Sequence, residues 1–454
     1  FLNTHHNAPH YWNQIVQLSN VEKLDSTTIK SAIEELVSYH DALRLKFVKT
    51  NSWKAIVNPK EEKEVFRLEN VSSIGDSGEQ DKQIKEMLFA IQESTKLSDG
   101  QLFKCVYFNC GETQGDQVFL IAHHLVIDVV SWNILLNDLN VATNQILGNR
   151  PILLGGKTVS IKQWGDYLEE LSKSKRILEE LSFWKSQKND IHMFPSDFVC
   201  EKNCYEESTI EIYQASLGAE DTLRLQQDAN WVYNTKIEEL LVTALLSVFH
   251  EWSLLERICL GMEKHGRSAE ILDLDVSGTI GWFTSYFPVS LNAINKGDLG
   301  DLIKSVKEQL RKVPNNGIGY GILKYLNQEQ INIEELDQKP QVIFNYLGNR
   351  VVSGDSADIG FDLLWQGSRD PRSERSYGLE INAYILNGQL YSNWSYSTDL
   401  YKETTIEKLV SGFNAVLRQI ILHCKNKEDR EYTPSDFPEA GISQDDLDNL
   451  LENL

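Results

Sequence analysis

The sequence predicts a mixed α/β protein built from two lobes. An amphipathic helix followed by a strand occurs near the start of the chain, and a similar helix and strand recur in its second half. The chain also has 454 residues, which is more than one ordinary hydrophobic core takes up. Together these three observations favour two lobes of similar construction.

The first helix and strand occupy residues 26–47. Apolar residues recur at helical spacing between Ser26 and Tyr39, which places them on one face. Ser26 is the expected N-cap, because its hydroxyl can accept a hydrogen bond from a free amide of the first turn. After the helix, Leu43, Leu45 and Phe47 alternate with polar neighbours, and this alternation predicts a strand.

The second helix and strand occupy residues 235–261. Apolar residues within 237–252 share one helical face, and Thr235 and Glu238 have the spacing of a capping box at its start. A short apolar run at 257–261 predicts the strand that follows.

We place the first lobe at residues 1–190 and the second at 191–432, because a polar, irregular segment follows the charged helical stretch 161–187. Residues 433–454 contain Pro434, Pro438 and an acidic run from Asp445, as is typical of a linker. The first residues lack the basic and apolar regions of a signal peptide, so we expect a domain of a longer chain.

The charge of the chain excludes some partners. Its 66 acidic and 44 basic residues give a net charge of −22, and such a surface repels nucleic acid and anionic membranes. No apolar run reaches the roughly 18–20 residues that a bilayer span needs. The six cysteines are scattered, and Cys200 and Cys204 lack the second pair of a zinc site. We therefore expect no metal, and free thiols of a cytoplasmic protein.

An apolar strand at 118–122 runs into two histidines, His123 and His124, and then a short loop and a helix. Adjacent residues at a strand end point to opposite sides, so one ring should face a cavity while the other is packed. Metal binding by both histidines and Asp128 together is therefore geometrically awkward. Imidazole titrates near neutral pH, which suits proton transfer. From these residues alone, a catalytic and a purely structural histidine remain equally open.

The spacing of His123, His124 and Asp128 resembles the H-H-x-x-x-D motif of the condensation-domain superfamily, which includes chloramphenicol acetyltransferase-like acyltransferases. Alone it does not separate condensation from epimerization. The following Ser131 and Trp132 resemble the ending of the motif in epimerization domains of nonribosomal peptide synthetases. The resemblance implies that His124 is catalytic and that the other four residues are structural, with Asp128 bonding a neighbouring basic group and fixing the loop.

Val129 replaces the glycine that many members of the family have after the aspartate. A β-branched residue does not easily adopt a positive φ, so we expect the loop to have ordinary backbone geometry here.

Five further stretches resemble epimerization-domain motifs, in the expected order and over most of the chain. They are residues 9–14 (PHYWNQ), 263–267 (EKHGR, with Lys264 where the family has glycine), 281–289 (GWFTSYFPV), 314–321 (PNNGIGYG) and 344–348 (FNYLG). Taken alone, each stretch also has a structural interpretation, such as a turn-rich loop at 314–321 or a buried strand at 281–289. Glu263 could simply pair with Arg267, and Tyr346 could be a core tyrosine.

The resemblance implies that Glu263 is the second catalytic group and that Arg267 is structural. Asn345 and Tyr346 lie near the site in the family and are candidates to stabilise an enolate oxygen. The family's substrate tunnel would be lined by Trp282, Thr284 and Ser285.

The implied fold is two chloramphenicol-acetyltransferase-like α/β lobes arranged as a V-shaped pseudodimer with a central tunnel. The implied reaction inverts the Cα of an L-aminoacyl or peptidyl thioester. The chain would have no cofactor of its own, since the substrate is carried on the phosphopantetheine of a carrier protein. The implied partners are a peptidyl carrier protein domain and neighbouring synthetase domains, and the excised domain would be monomeric.

Inversion needs one proton-transfer group on each face of a planar enolate, and His124 and Glu263 come from different lobes. Their ordinary pKa values are about 6.5 and 4.3, and burial of the carboxyl would bring them closer. Two alternatives remain. The chain could be a condensation domain that forms a peptide bond between two carrier-bound substrates, or a non-catalytic carrier-docking domain.

Overall fold

The computed structural model of the chain describes residues 2, 9–59, 65–111, 115–188, 193–199, 205–267, 273–293, 298–327, 331–350, 358–364 and 368–452. Cys200 and Cys204 lie outside these residues. The strands are β1 (Asn13–Ser19), β2 (Leu45–Lys49), β3 (Trp53–Val57), β4 (Phe66–Asn70), β5 (Phe103–Asn109), β6 (Gln117–His123), β7 (Ile210–Leu217), β8 (Arg257–Lys264), β9 (Ser285–Asn292), β10 (Val342–Arg350), β11 (Gly360–Leu364), β12 (Leu379–Leu386) and β13 (Gln389–Ser397).

The helices include a long one in each half of the chain. They are α1 (Ser26–Tyr39), α2 (Ser77–Glu93), α3 (Val129–Leu147), α4 (Ile161–Leu171), α5 (Lys175–Glu179), α6 (Leu181–Gln187), α7 (Ala219–Arg224), α8 (Asn230–Tyr233), α9 (Ile237–Ser253), α10 (Leu299–Arg311), α11 (Ile318–Leu326), α12 (Glu403–Lys425) and α13 (Gln444–Glu452). Among the residues described, no helix is long and apolar enough to cross a bilayer.

The chain divides into two compact units. The first contains residues 1–168, 269–284 and 351–374, and the second contains 169–268, 285–350 and 375–454. The division near residue 190 that the sequence predicts is contiguous, whereas both units combine distant segments. Residues 281–283 belong to the first unit because Asp128 and Ser131 bind their backbone. Residues 360–364 belong to it because β11 pairs with β1.

The first unit is a five-stranded sheet with helices on both faces. The strand order is β11-β1-β6-β5-β4, and β4 is parallel to β5. Alternate residues of β6 enter two different cores, since Val118, Leu120 and Ala122 pack with α1 and α3, while Phe119 and Ile121 pack with α2. Because successive residues of a strand point to opposite faces of the sheet, helices pack on both faces, and the unit has three layers.

The helix α1 has the amphipathic face that the sequence predicts, with Ile29, Ile33 and Leu36 fully buried. The predicted N-cap was wrong by one residue. Asp25 is the cap, and its carboxylate accepts a hydrogen bond of 2.7 Å from the backbone amide of Thr28, while Ser26 is the first helical residue. A carboxylate also interacts favourably with the positive end of the helix dipole.

The strand predicted after α1 begins later than the sequence indicates. Leu45 and Phe47 lie in β2, whereas Leu43 lies in a short 3-10 turn, Asp41–Arg44, and is buried there. An apolar residue buried at a turn, such as Leu43, therefore could not be distinguished in the sequence from one buried on a strand.

The second unit is a six-stranded sheet in the order β7-β13-β12-β10-β8-β9. Its β10 is parallel to both β8 and β12, so the carboxyl ends of three strands meet at one edge. Helices α9 and α12 cover one face, where Trp394 of β13 lies against Phe249 and Phe413. The α/β class predicted from the sequence is confirmed in both units.

The capping box predicted for α9 is displaced by one residue. Lys236 is the N-cap, and its backbone amide donates to the Glu239 carboxylate at 2.8 Å, so Thr235 and Glu238 do not form the box. The strand predicted at 257–261 is found and extends through Lys264 as β8.

The stretch from residue 433, which the sequence presents as a linker, begins with residues bound to the second unit. The Asp436 carboxylate accepts hydrogen bonds from Lys307 at 2.6 Å and from Arg311 at 3.0 Å. The side chain of Lys307 is fully buried, so this ion pair fixes the start of the C-terminal stretch.

Candidate active site

The two histidines at the end of β6 have different surroundings. His123 is the last strand residue and is fully buried. Its Nε2 donates to the Pro9 carbonyl at 2.9 Å and its Nδ1 accepts from the Leu125 amide at 3.2 Å. Burial lowers the pKa of His123 to about 3. With both ring nitrogens bonded to backbone, this neutral ring holds the loop in place.

His124 is half-buried in an aromatic enclosure. The Trp12 ring stacks on the imidazole at 4.4 Å between centroids and 24° between planes, and the Trp282 ring lies at 5.2 Å. Burial, with a contribution from the charge of Arg369, lowers the pKa of His124 to about 4. The ring is therefore neutral at neutral pH and can accept a proton.

Gln14 connects the His124 ring to α3. The Gln14 side-chain nitrogen lies 3.0 Å from His124 Nε2, and the Gln14 side-chain oxygen accepts from the Trp132 indole at 2.7 Å. Gln14 lies on β1 opposite Ala122 of β6, and Trp132 is fully buried on α3. Gln14 was not identified as a functional residue from the sequence, although it closes the 9–14 motif.

Asp128 and Ser131 form hydrogen bonds to the backbone on both sides of Trp282. One Asp128 oxygen accepts from the Ser131 amide at 2.7 Å and so caps α3, and the other accepts from the Phe283 amide at 3.0 Å. The Ser131 hydroxyl donates to the Gly281 carbonyl at 2.9 Å and accepts from the Gly281 amide at 3.1 Å. These bonds hold the backbone on both sides of Trp282. A basic partner for Asp128 stays a prediction.

Val129 is the first residue of α3, so it has the ordinary helical backbone that the sequence predicts for a β-branched residue. A glycine is not needed at this point of the loop.

Glu263 lies one residue before the end of β8 in the second unit. Its carboxylate accepts a hydrogen bond of 2.8 Å from the Asn345 side-chain amide. The register explains the contact. Met262 of β8 pairs with Phe344 of β10, and the residues that follow them are Glu263 and Asn345. The structure thus brings together two residues that the sequence separates by 82 positions.

Tyr346 lies on the other face of the sheet from Asn345. In the register of β10 with β12, Asn345 pairs with Asn382, whereas Tyr346 pairs with Ala383, and successive residues of a strand alternate between faces. Burial raises the pKa of Tyr346 to about 12, and the charge of Glu238 on α9 contributes. Lys264 also bonds Glu238 on that face. The structure does not bring Tyr346 to Glu263.

Two other tyrosines lie near Glu263. Tyr286 of β9 pairs directly with it in the sheet, and Tyr286 is hydrogen-bonded to Tyr377. Burial is the main cause that raises the pKa of both phenols, and the charge of Glu263 raises that of Tyr377 further. Both phenols are therefore neutral, and Tyr286 donates the hydrogen bond that Tyr377 accepts. Sequence reasoning missed Tyr377, since it lies in none of the motifs.

The remaining predicted residues are half-buried. The Arg267 backbone amide donates to His265 Nδ1 at 3.0 Å, which turns the chain after β8. Trp282 contacts Trp12 at 5.1 Å between ring centroids. Thr284 ends a segment of the first unit, and Ser285 begins β9 in the second. A tunnel lined by Trp282, Thr284 and Ser285 stays a prediction.

The comparison with known families decides what kind of domain carries these groups. The family described as "Condensation domain" matches residues 1–442. The chain belongs to the condensation-domain family. The motif around His124 predicted this family, and the prediction is confirmed.

Curated relatives of this condensation-family chain are much longer proteins. Gramicidin S synthase 1 of Brevibacillus brevis is 33% identical over 457 residues, which are 98% of this chain and 41% of the relative. Bacitracin synthase 2 of Bacillus licheniformis is 33% identical over 454 residues, which are 99% of this chain and 17% of the relative. The chain therefore spans less than half the length of these relatives.

Solved structures agree with this assignment. The epimerization domain from the third module of tyrocidine synthetase B matches with a TM-score of 0.84 and 31% identity, over 94% of this chain and 95% of that one. The condensation domain of the Monacolin K polyketide synthase matches with a TM-score of 0.70 at 13% identity, over 90% and 92% of the two chains. The second likeness concerns the fold alone.

Proposed function

We propose that this condensation-family chain epimerizes the Cα of an L-aminoacyl or peptidyl thioester carried on the phosphopantetheine of a carrier protein. The observation that carries the proposal is the carboxylate of Glu263 near the carboxyl end of β8, which the Asn345 side chain of the parallel neighbour β10 holds by a hydrogen bond. A condensation reaction has no evident need of a second proton-transfer group besides His124, whereas stereoinversion requires one. The 31% identity to a solved epimerization domain supports the same choice.

The chemistry explains why two groups are needed. A thioester acidifies its α-hydrogen, because sulfur donates poorly into the carbonyl, but the hydrogen does not leave unaided at neutral pH. One group removes it from one face, giving a planar enolate, and the other returns a proton to the opposite face. The two groups exchange roles when the reaction runs backwards.

His124 is suited to both halves of this cycle. Its neutral ring can accept a proton, and its lowered pKa favours release of that proton from the protonated ring. The mechanism requires that His124 and Glu263 reach the same substrate carbon from opposite faces. A structure with a non-hydrolysable substrate analogue on the carrier arm would test that requirement directly.

The enolate oxygen needs hydrogen-bond donors, and losing one such donor typically costs about 2.7–4 kcal/mol. The neutral phenols of Tyr286 and Tyr377 are candidates, since both lie near Glu263. Asn345 donates to Glu263, so in this proposal its first role is to position the carboxylate. Tyr346, proposed from the family motif, would have to act from the other face of the sheet.

The experiment that tests the proposal presents one carrier-bound L-aminoacyl thioester to the chain in deuterated water. We expect deuterium at Cα together with D-product. Product that forms only after an acceptor carrier is added, without exchange, would identify a condensation domain. A folded protein that binds the carrier but never exchanges the α-hydrogen would identify a docking domain.

A further inference from the structure

We propose that Gln14 is a positioning residue that fixes the tautomer of His124, with the proton on Nδ1 and an electron pair on Nε2. Two hydrogen bonds in series carry this inference: Trp132 to Gln14 at 2.7 Å and Gln14 to His124 at 3.0 Å. All three residues belong to the first unit. The catalytic consequence rests on the proposed function, but the tautomer does not.

The direction of these bonds follows from what each group can do. An indole N–H only donates, so the amide atom that faces Trp132 must be the Gln14 oxygen. The other end of the amide is then its NH₂ group, which only donates, and this group faces His124 Nε2. Nε2 must therefore accept, and in a neutral imidazole the proton then belongs to Nδ1.

Nδ1 is buried and makes no hydrogen bond within the described part of the chain, so no other group holds the opposite tautomer. The backbone carbonyls of His124 itself and of Ile127 favour a proton on the ring. Because Nε2 faces an NH₂ group, the nitrogen that can bear this proton is Nδ1. The stacked Trp12 ring and the backbone bond of 2.8 Å from the His124 amide to the Trp12 carbonyl restrict rotation of the histidine.

The three residues are held by regular structure rather than by loops. Gln14 lies on β1, which pairs with β6 up to His123, and Trp132 lies fully buried on α3. Alternation places Gln14 on the α3 side of the sheet, with Val16 and Leu18. A group held on rigid elements keeps its hydrogen-bond geometry through the catalytic cycle.

The consequence for proton transfer is specific. Protonation of Nε2 would place an N–H against the Gln14 NH₂ group, so the amide opposes the charged ring. Two charges also act on the ring, since Arg369 disfavours the imidazolium and Asp128 favours it. His123, the adjacent imidazole, is neutral. Gln14 therefore disfavours a proton on Nε2, and its hydrogen bond to Nε2 must be released before that nitrogen can take a proton from the substrate.

The test substitutes the amide by a carboxylate of the same length, Gln14→Glu. Trp132 can still donate to one carboxylate oxygen, but the other oxygen now accepts, so the His124 proton should move to Nε2. The new negative charge should also raise the His124 pKa by about one to three units. Long-range ¹H–¹⁵N correlation spectra of the chain with ¹⁵N-labelled histidine report both the tautomer and the pKa. The signals of His124 are assigned as those that disappear in His124→Gln.

The matched control is Gln17→Glu, the same change on the same strand at a glutamine that bonds Gln117 instead of the ring. It should leave the His124 signals unchanged. Trp132→Phe provides a second test, because without the indole donor the Gln14 amide is free to reverse. This variant should give a mixture of His124 tautomers.

A folded Gln14→Glu protein whose His124 keeps its tautomer and its pKa would overturn the inference. In the exchange reaction, the acidic limb of the pH–rate profile should move upward by the same shift as the pKa. If the unmodified chain catalyses no α-hydrogen exchange, the proposed function fails, while the spectra still decide the role of Gln14.

Discussion

The ring of His124 lies among aromatic side chains, with Trp12 stacked on it, whereas Glu263 lies in a row of polar side chains across four strands. That row runs from Tyr286 through Glu263 and Asn345 to Asn382. The aromatic rings shield part of the imidazole from water, and this burial lowers its pKa and keeps the ring neutral. The polar row instead fixes where the carboxylate points. The two proposed proton-transfer groups are thus prepared by different physical means.

The largest effect should come from removing either group. General acid–base catalysis contributes roughly 10²- to 10⁴-fold, so His124→Ala and Glu263→Gln should each lower the rate of inversion by about that factor. If the groups act on opposite faces, each variant should retain deuterium exchange with one epimer of the substrate, and the two variants should retain opposite epimers.

His250→Ala is the control, since this ring bonds the Leu255 carbonyl at the end of α9. It should leave inversion near normal. Loss of exchange with the same epimer in both catalytic variants would contradict a mechanism with one group on each face.

A smaller effect should separate Asn345 from its neighbour Tyr346. A hydrogen bond to a charged group contributes about 1.5–3 kcal/mol, so Asn345→Leu should slow inversion by roughly 10- to 100-fold. Tyr346→Phe should slow it less, because the register places that residue on the opposite face. Single-turnover rates measure both. The reverse order would favour Tyr346 as a direct participant in the reaction.

The pH dependence of stability should report the enclosed imidazoles. Burial lowers the pKa of His123 to about 3 and of His124 to about 4, from 6.5 in the unfolded chain. Between pH 6.5 and about 4 the unfolded state therefore binds more protons than the folded one. The stability contribution is complete above pH 6.5 and is lost as the pH falls through this window.

Urea unfolding at several values between pH 7 and pH 5 measures this loss. In His124→Ala the free energy of unfolding should fall less steeply as the pH is lowered. The reason is that the unfolded and folded states then differ by up to one fewer bound proton. An unchanged slope would mean that the pKa of His124 is the same in the folded and the unfolded chain.

The smallest effect should follow Lys264→Gly, which introduces the residue that the family motif has at this position. The Lys264 ammonium pairs with Glu238 on the helix-covered face, and the lysine side chain is 28% exposed. Partly exposed ion pairs contribute about 0–1 kcal/mol, so thermal unfolding should change little. Inversion should stay near normal, since Glu263 points to the other face. A large loss of activity would mean that the two faces are coupled.

Local patterns predicted local features well. The packed ring of His123 and the amphipathic face of α1 follow from periodicity, and the structure contains both. The capping of α3 by Asp128 was not predicted. The cap of α1 was missed because Asp25 and Ser26 are both good cap residues, and sequence alone does not rank a carboxylate against a hydroxyl.

Long-range pairing could not be predicted from local patterns. Gln14 reaches His124 only because β1 pairs with β6, and Glu263 meets Asn345 only because β8 and β10 are parallel neighbours. Neither pairing leaves a signal in the spacing of nearby residues. The family motifs named most of these positions but not the contacts among them, and they omitted Tyr377 altogether.

The pairing of β11 with β1 has a consequence for synthesis of the chain on the ribosome. On the side of β1 away from β6, the five residues from Ile15 to Ser19 pair with residues 360–364. Until that part has been translated, an edge of the first sheet is exposed and able to pair with other nascent chains. A fragment ending near residue 190 would keep this edge open permanently, and it should therefore aggregate instead of folding as an independent lobe.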